Sequence, residues 1–275
     1  MLGKLLKHEW KAVWKIPVLL IGILLAAAMM AGFTFHLPIW DSEWVGLPLS
    51  GVMMIITFYV AIIGVSLGIT IYFAVRYYKN MFTDEGYLTN TLPVSSHQLL
   101  LSKVITMFSW DIISILAIAA SVAIFMGMII LAFMEPGDGK TIVDGFWELF
   151  DMSIWDSPYM QEFEGFCVSM IVMVLASAFS NTMTIVASVT IGQMVRRHRI
   201  LGAFGAYFAI GTVMQIISTV ILFPYMISTF DNIYIETPFP LMTAMYLIIS
   251  AVSVIIGVGL YFLSEYLIRK QLELE

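Results

Sequence analysis

Ser177, Asn181, Thr184 and Ser188 stand four, three and four residues apart in an otherwise apolar run. At 3.6 residues per turn this spacing sets all four on one helix face. Hydroxyls and a carboxamide on one face of an apolar helix do one of two jobs. They hydrogen-bond to a neighbouring helix, or they line a polar pathway. Thr212, Gln215, Ser218 and Thr219 form a second, weaker polar face farther along the chain. Asp111 is the one ionisable residue well inside an apolar run, where a carboxylate is costly and marks a functional position. Two roles fit it: a carboxylate that reaches the interface or pairs with a nearby arginine, or a residue that couples helix movement to machinery outside the bilayer.

Catalytic and metal chemistry finds no such constellation. The stretch GDGKT at 137–141 has the tail of a phosphate-binding loop, but position 134, which that loop needs as glycine, is Met134. HEWKA at 8–12 starts like a zinc-protease helix, yet Ala12 stands where the second histidine belongs. His8, His36, His97 and His198 fall in separate segments, which argues against a metal cluster. There is no G-x-S-x-G elbow for a serine nucleophile. We therefore assign no catalytic, cofactor-binding or metal-binding residue. Cys167 is the single cysteine, so no intrachain disulfide forms, and it reads as a buried, inert thiol.

The elements that hold these residues are set by composition. Of 275 residues, 60% are hydrophobic and 12% charged, against about 25% charged in a soluble domain. The charges cluster between long runs that nearly lack them, the pattern of repeated bilayer crossing. Six runs qualify, at 16–35, 47–75, 104–134, 166–195, 200–225 and 239–263. The expected fold is an all-α integral membrane protein, residues 1–275 forming one six-span domain. Gly64 and Gly68 in the second run, and Gly202, Gly205 and Ala206 in the fifth, are expected to be sites of close helix approach.

Charge orients the spans. Lys4, Lys7, Lys11 and Lys15 precede the first; Arg76, Lys79 and Lys103 lie between the second and third. Arg196, Arg197 and Arg199 lie between the fourth and fifth, and Arg269 and Lys270 follow the sixth. All twelve share one side when both termini do, leaving only Lys140 opposite, so the positive-inside rule puts both termini in the cytoplasm. The net charge of −6 gives no support for a nucleic-acid partner; the lipid bilayer is the expected surroundings, in a multi-pass protein of a bacterial cell membrane.

Residues 1–15 carry Lys4, Lys7, Lys11 and Lys15 on one helical stripe, with Leu2, Leu5, Leu6, Trp10 and Val13 opposite. This predicts an amphipathic helix lying in the interface, with Pro17 where the chain turns into the first span. Basic residues ahead of LLAAAMMAG are also features of a signal peptide, but the long patterned segment argues for a retained anchor. Residues 135–165 form the one sizeable outer segment, acidic and rich in aromatics such as Trp147 and Trp155, and read as a solvated cap with aromatic anchors.

The cytoplasmic segment 76–103 is longer than a hairpin between helices requires. Thr83 offers an N-cap, Asp84 and Glu85 suit a first helical turn, and Tyr87, Leu88, Thr91 and Leu92 share a face. Pro93 ends the element, and Ser95 with Gln98 has capping-box spacing for the next helix. The string DEGYLTNTLPVSSHQLLLSK resembles the first cytoplasmic loop of the permease subunits of type-2 ABC exporters, in which a Glu and a Gly precede a short coupling helix, a Leu-Pro-Val/Ile-Ser step and a Lys. The basic N-terminal helix and six-span layout resemble the same family.

By that resemblance Glu85 and Gly86 start a coupling helix, Tyr87, Leu88 and Leu92 form its apolar face, and Pro93, Val94 and Ser95 make the step. Asp84 and Glu85 then meet basic groups on a separate ATP-binding subunit. The resemblance implies two copies of that subunit, which hold ATP and Mg, and a permease dimer of identical or related chains that exports an amphiphilic peptide, an antibiotic or a lipid. The chain itself is then no enzyme. Arg196, Arg197 and Arg199 fit either a minor contact with that partner or lipid headgroups. The family often places a re-entrant helix pair between the fifth and sixth spans; here that connection is short, and the larger outer segment precedes the fourth. Two alternatives remain open at this stage: an intramembrane enzyme, and a sensor or assembly protein that uses the acidic outer segment.

Overall fold

In the computed structural model, described over residues 2–40, 44–83, 96–133, 158–195, 197–230 and 239–272, every element is helical. In chain order the helices are α1 (Leu2–Val13), α2 (Lys15–Phe33), α3 (Gly46–Phe82), α4 (Ser96–Phe133), α5 (Pro158–Gly192), α6 (Arg199–Phe230) and α7 (Phe239–Leu272), with a 3₁₀ turn at Thr34–His36. From α2 to α7, six helices are long and apolar enough to cross a membrane. The protein is a multi-pass membrane protein by that measure. Helices α3 and α4 have 37 and 38 residues, about 55 Å each, well beyond the roughly 30 Å of hydrocarbon.

Two compact units divide the chain. The first takes α1 from Lys7, α2, α3 to Tyr72 and α4 from Ser109. Its core starts with small residues: Leu24, Ala27, Ala28, Ala31 and Gly32 are buried along one stripe of α2, while Met29 and Met30 face outward. A Cβ on Gly32 would stand 2.6 Å from that of Met128, so the missing side chain is what lets α2 and α4 meet. Phe58 and Phe125 pack with ring centroids 4.9 Å apart, with Phe35 6.2 Å from Phe125; Trp10 stacks on Trp110 at 5.1 Å.

The stripe on α1 forms as expected, with Lys4, Lys7 and Lys11 exposed and Val13 buried. The turn expected at Pro17 does not. Trp14 separates α1 from α2 and keeps a helical backbone (φ −56°, ψ −30°), its N–H donating to the Trp10 carbonyl and its own carbonyl accepting from Val18. Pro17 sits in the first turn of α2, where a missing N–H is tolerated. The carbonyl it fails to serve, that of Val13, accepts the Tyr72 hydroxyl at 3.4 Å.

The second unit takes the start of α1, α3 from Phe73, α4 to Phe108, and α5, α6 and α7. Helix α5 is its centre and packs against both α7 and α6. All nine residues from Thr182 to Thr190 are buried. Their hydroxyls do not break the helix, because three of them donate to carbonyls one turn back: Thr184 to Ser180, Ser188 to Ile185 and Thr190 to Val186. Glycines permit the contacts. A Cβ on Gly257 would meet the Phe179 ring at 2.7 Å, and one on Gly192 the Ala203 backbone nitrogen at 2.5 Å. The turn after Gly192 carries the chain into α6 with Arg197 and Arg199 exposed. Of the glycines expected to pack closely, Gly202 does so against Val195, but Gly64 and Gly205 face open space and Gly68 meets Leu20 at an ordinary 3.5 Å.

Helix ends run past the apolar segments. Helix α3 extends to Phe82 and α4 begins at Ser96, so much of the segment 76–103 is helical, and α5 begins at Pro158, inside the expected outer segment 135–165. The reason is packing: Tyr77, Met81, Leu99 and Leu100 are buried beyond the ends that hydropathy marks for α3 and α4.

Candidate functional site

Ser177, Asn181 and Thr184 come together, as their spacing predicted, on the wall of a pocket of about 310 Å³ between α5, α6 and α7. Ser180 joins them from α5; Tyr207, Gly211, Met214, Gln215 and Ser218 come from α6, and Ser253 from α7. The lining holds no charged residue.

Backbone explains the position of each group. On α5 the Ser177 hydroxyl donates to the Val174 carbonyl at 2.9 Å, which pins it to its own helix. Thr184 bonds back to Ser180 and also lies 3.8 Å from Met214 Sδ, with the Ser180 hydroxyl 3.7 Å from the same sulfur. Across the helix pair, the Tyr207 hydroxyl donates to Asn181 Oδ1 at 3.4 Å. Gln215, Ser218 and Ser253 line the same space, and their side chains have no hydrogen-bond partner among the described residues.

Other candidates from the sequence are placed differently. Ser188 is buried below the pocket, its hydroxyl bonded to the Ile185 carbonyl. It is eleven residues from Ser177, about 16 Å along the axis, so sharing a face does not bring it to the same depth. Thr212 and Thr219 are exposed on α6 and bond to their own helix. Asp111 is half-buried on α4, fifteen residues or about four turns after the helix start at Ser96 and about two turns past Lys103. Tyr207, Met214 and Ser253 were not singled out in the sequence. Tyr and Met suit any apolar helix, and only the pairing of α5 with α6 and α7 gives them this role.

The residues expected to engage an ATPase, Asp84, Glu85, Gly86, Tyr87, Leu88, Leu92 and Pro93, lie outside the described residues. What flanks them is defined. Thr83, expected to cap a following helix, donates its hydroxyl to the Lys79 carbonyl at 2.5 Å and closes α3. Nearly two turns earlier Tyr77 is fully buried, its hydroxyl 3.4 Å from that of Thr190 on α5. On the other flank His97, second residue of α4, lies 2.8 Å from the Tyr261 hydroxyl and 3.6 Å from Glu265 of α7. Both ends of the segment are thus fastened within the second unit. No group of three or more His, Cys, Asp or Glu comes together among the described residues.

Comparison with known proteins found no matching family model, no matching curated protein and no matching solved structure.

Proposed function

We propose that the chain is the membrane-spanning subunit of an ATP-driven exporter of the type-2 ABC class. The observation that carries this is the string DEGYLTNTLPVSSHQLLLSK, lying where α3 ends and α4 begins. In this reading both termini and the segment 84–95 are cytoplasmic. A separate ATP-binding subunit, in two copies and holding ATP and Mg, presses on Asp84, Glu85, Tyr87, Leu88 and Leu92. Glu85 and Gly86 start the pressed element and Pro93 ends it.

A push is useful only if it is transmitted, and transmission needs packed contacts on both sides of the pressed segment. Burial of Tyr77 and Met81 at the end of α3 supports that, as do the contacts of His97 with Tyr261 and Glu265 at the start of α4. These tie the flanks to α5 and α7, the helices that line the polar pocket. The moving body is therefore a bundle of helices. The cargo pathway forms in a dimer of this chain with itself or a related one. The test is to replace Glu85 with Arg and Leu88 with Asp: ATPase association and transport are lost while the folded membrane chain persists. Retention of both activities refutes the proposal.

A further inference from the structure

We propose that the pocket between α5, α6 and α7 binds the uncharged, hydrogen-bonding head group of an amphiphile, a hydroxyl or amide head rather than a phosphate, carboxylate or ammonium. As a cargo site it rests on the exporter reading; binding itself does not, and the experiment below reads binding alone.

Depth is the first argument. Tyr207 and Ser218 each lie seven residues inside an end of the apolar run 200–225 of α6, about 10 Å from that end. The pocket thus lies within the hydrocarbon thickness of roughly 30 Å. An unsatisfied amide or hydroxyl at that depth is costly, since lipid tails offer no partner. Yet Gln215, Ser218 and Ser253 converge on one space with no partner among the described residues, and Gln215 is exposed. Something that hydrogen-bonds must meet them.

The lining selects what that is. The Gln215 amide supplies two donors and an acceptor, and each hydroxyl supplies both kinds. That set matches a hydroxyl or amide group, which also gives and accepts. An ionic head finds no counter-charge in the lining and would be stripped of water at the same depth, so it is excluded. A volume of about 310 Å³ holds roughly ten waters' worth of matter, the size of a small head group and too little for a whole lipid. The tail stays outside, where Leu175 and Ile216, two residues before Ser177 and one after Gln215, are exposed and apolar.

The test uses the purified full chain in nanodiscs of phosphatidylcholine, whose charged head groups the pocket does not take, and a monoacylglycerol bearing a photoactivatable diazirine beside the head group. Mass spectrometry then locates the label. The expected result is saturable labelling of peptides covering 177–184 and 207–218, and loss of it with excess unlabelled monoacylglycerol. A probe with the same tail and a phosphate head labels at least tenfold less. Gln215→Leu lowers labelling at least fivefold, and Ser218→Ala, which removes one hydroxyl and disturbs little else, about threefold. Equal labelling by the phosphate probe, labelling that never saturates, or labelling unchanged in both variants overturns the proposal. So does rapid disulfide formation between two copies of Ser177→Cys in a Cys167→Ala background that the monoacylglycerol does not slow, because a second copy then covers the pocket.

Discussion

Tyr207 on α6 gives its hydroxyl to Asn181 Oδ1 on α5 at 3.4 Å, a long bond between two mid-helix side chains that line one polar pocket. Interhelical hydrogen bonds in membranes contribute about 0.6 kcal/mol on average, and rarely more than about 1.7. Tyr207→Phe and Asn181→Leu should therefore each lower stability by about 1 kcal/mol or less. A double-mutant cycle, read by unfolding in mixed detergent, should give a coupling near 0.5 kcal/mol, because the bond is long. Zero coupling would show that the two side chains are neighbours without a bond.

Glycines separate close contacts from open positions. A Cβ at Gly192 would lie 2.5 Å from the Ala203 backbone nitrogen, and backbone has little freedom to yield. Gly192→Ala should destabilise by about 1–3 kcal/mol, seen as a lower midpoint in thermal unfolding. Gly205→Ala, with open space around it, should leave the midpoint unchanged or raise it, since alanine favours helix by about 1 kcal/mol. The reverse order would mean that α5 and α6 pack differently from the arrangement described.

Tyr77 holds the end of α3 against α5. Its ring is fully buried and its hydroxyl makes one long bond to Thr190. Tyr77→Ala should cost about 3–5 kcal/mol by opening a cavity, whereas Tyr77→Phe should cost about 1 kcal/mol. Comparable losses in the two variants, measured by unfolding in detergent, would place the hydroxyl rather than the ring at the centre of this contact.

Much of this was legible before any coordinates, for identifiable reasons. A run of eighteen or more apolar residues has few other fates, so all six membrane-length helices appear where composition put them. Their ends were less legible, because hydropathy marks lipid contact and not helix. Tyr77, Met81 and Leu99 continue helices that burial sustains outside the apolar runs. The stripe of Ser177, Asn181 and Thr184 was readable because periodicity is local. Tyr207 and Ser253 were not, since which helices neighbour α5 is long-range information. Gly64 and Gly68 show the converse: a four-residue glycine spacing predicts close approach only if a partner helix is there.

The orientation proposed from charge can be checked chemically. In a Cys167→Ala background, single cysteines at Lys4, Arg197 and Lys270 should all resist a membrane-impermeant maleimide in intact cells and react after permeabilisation. A cysteine at Lys140 should react in both. Reaction of any of the first three in intact cells would break the even-span topology that places 84–95 in the cytoplasm.

The central claim is that this chain is driven through 84–95 by a separate ATPase subunit. The most direct measurement purifies the full-length chain in mild detergent from its native membrane and assays ATP hydrolysis in the preparation, beside a Glu85→Arg, Leu88→Asp variant of matched yield and helix content. The expected result is vanadate-sensitive hydrolysis with a stoichiometric nucleotide-binding subunit in the unmodified preparation, and loss of both in the variant. Absence of ATP hydrolysis from the unmodified preparation, or hydrolysis and subunit retained at full level in the variant, would contradict the account.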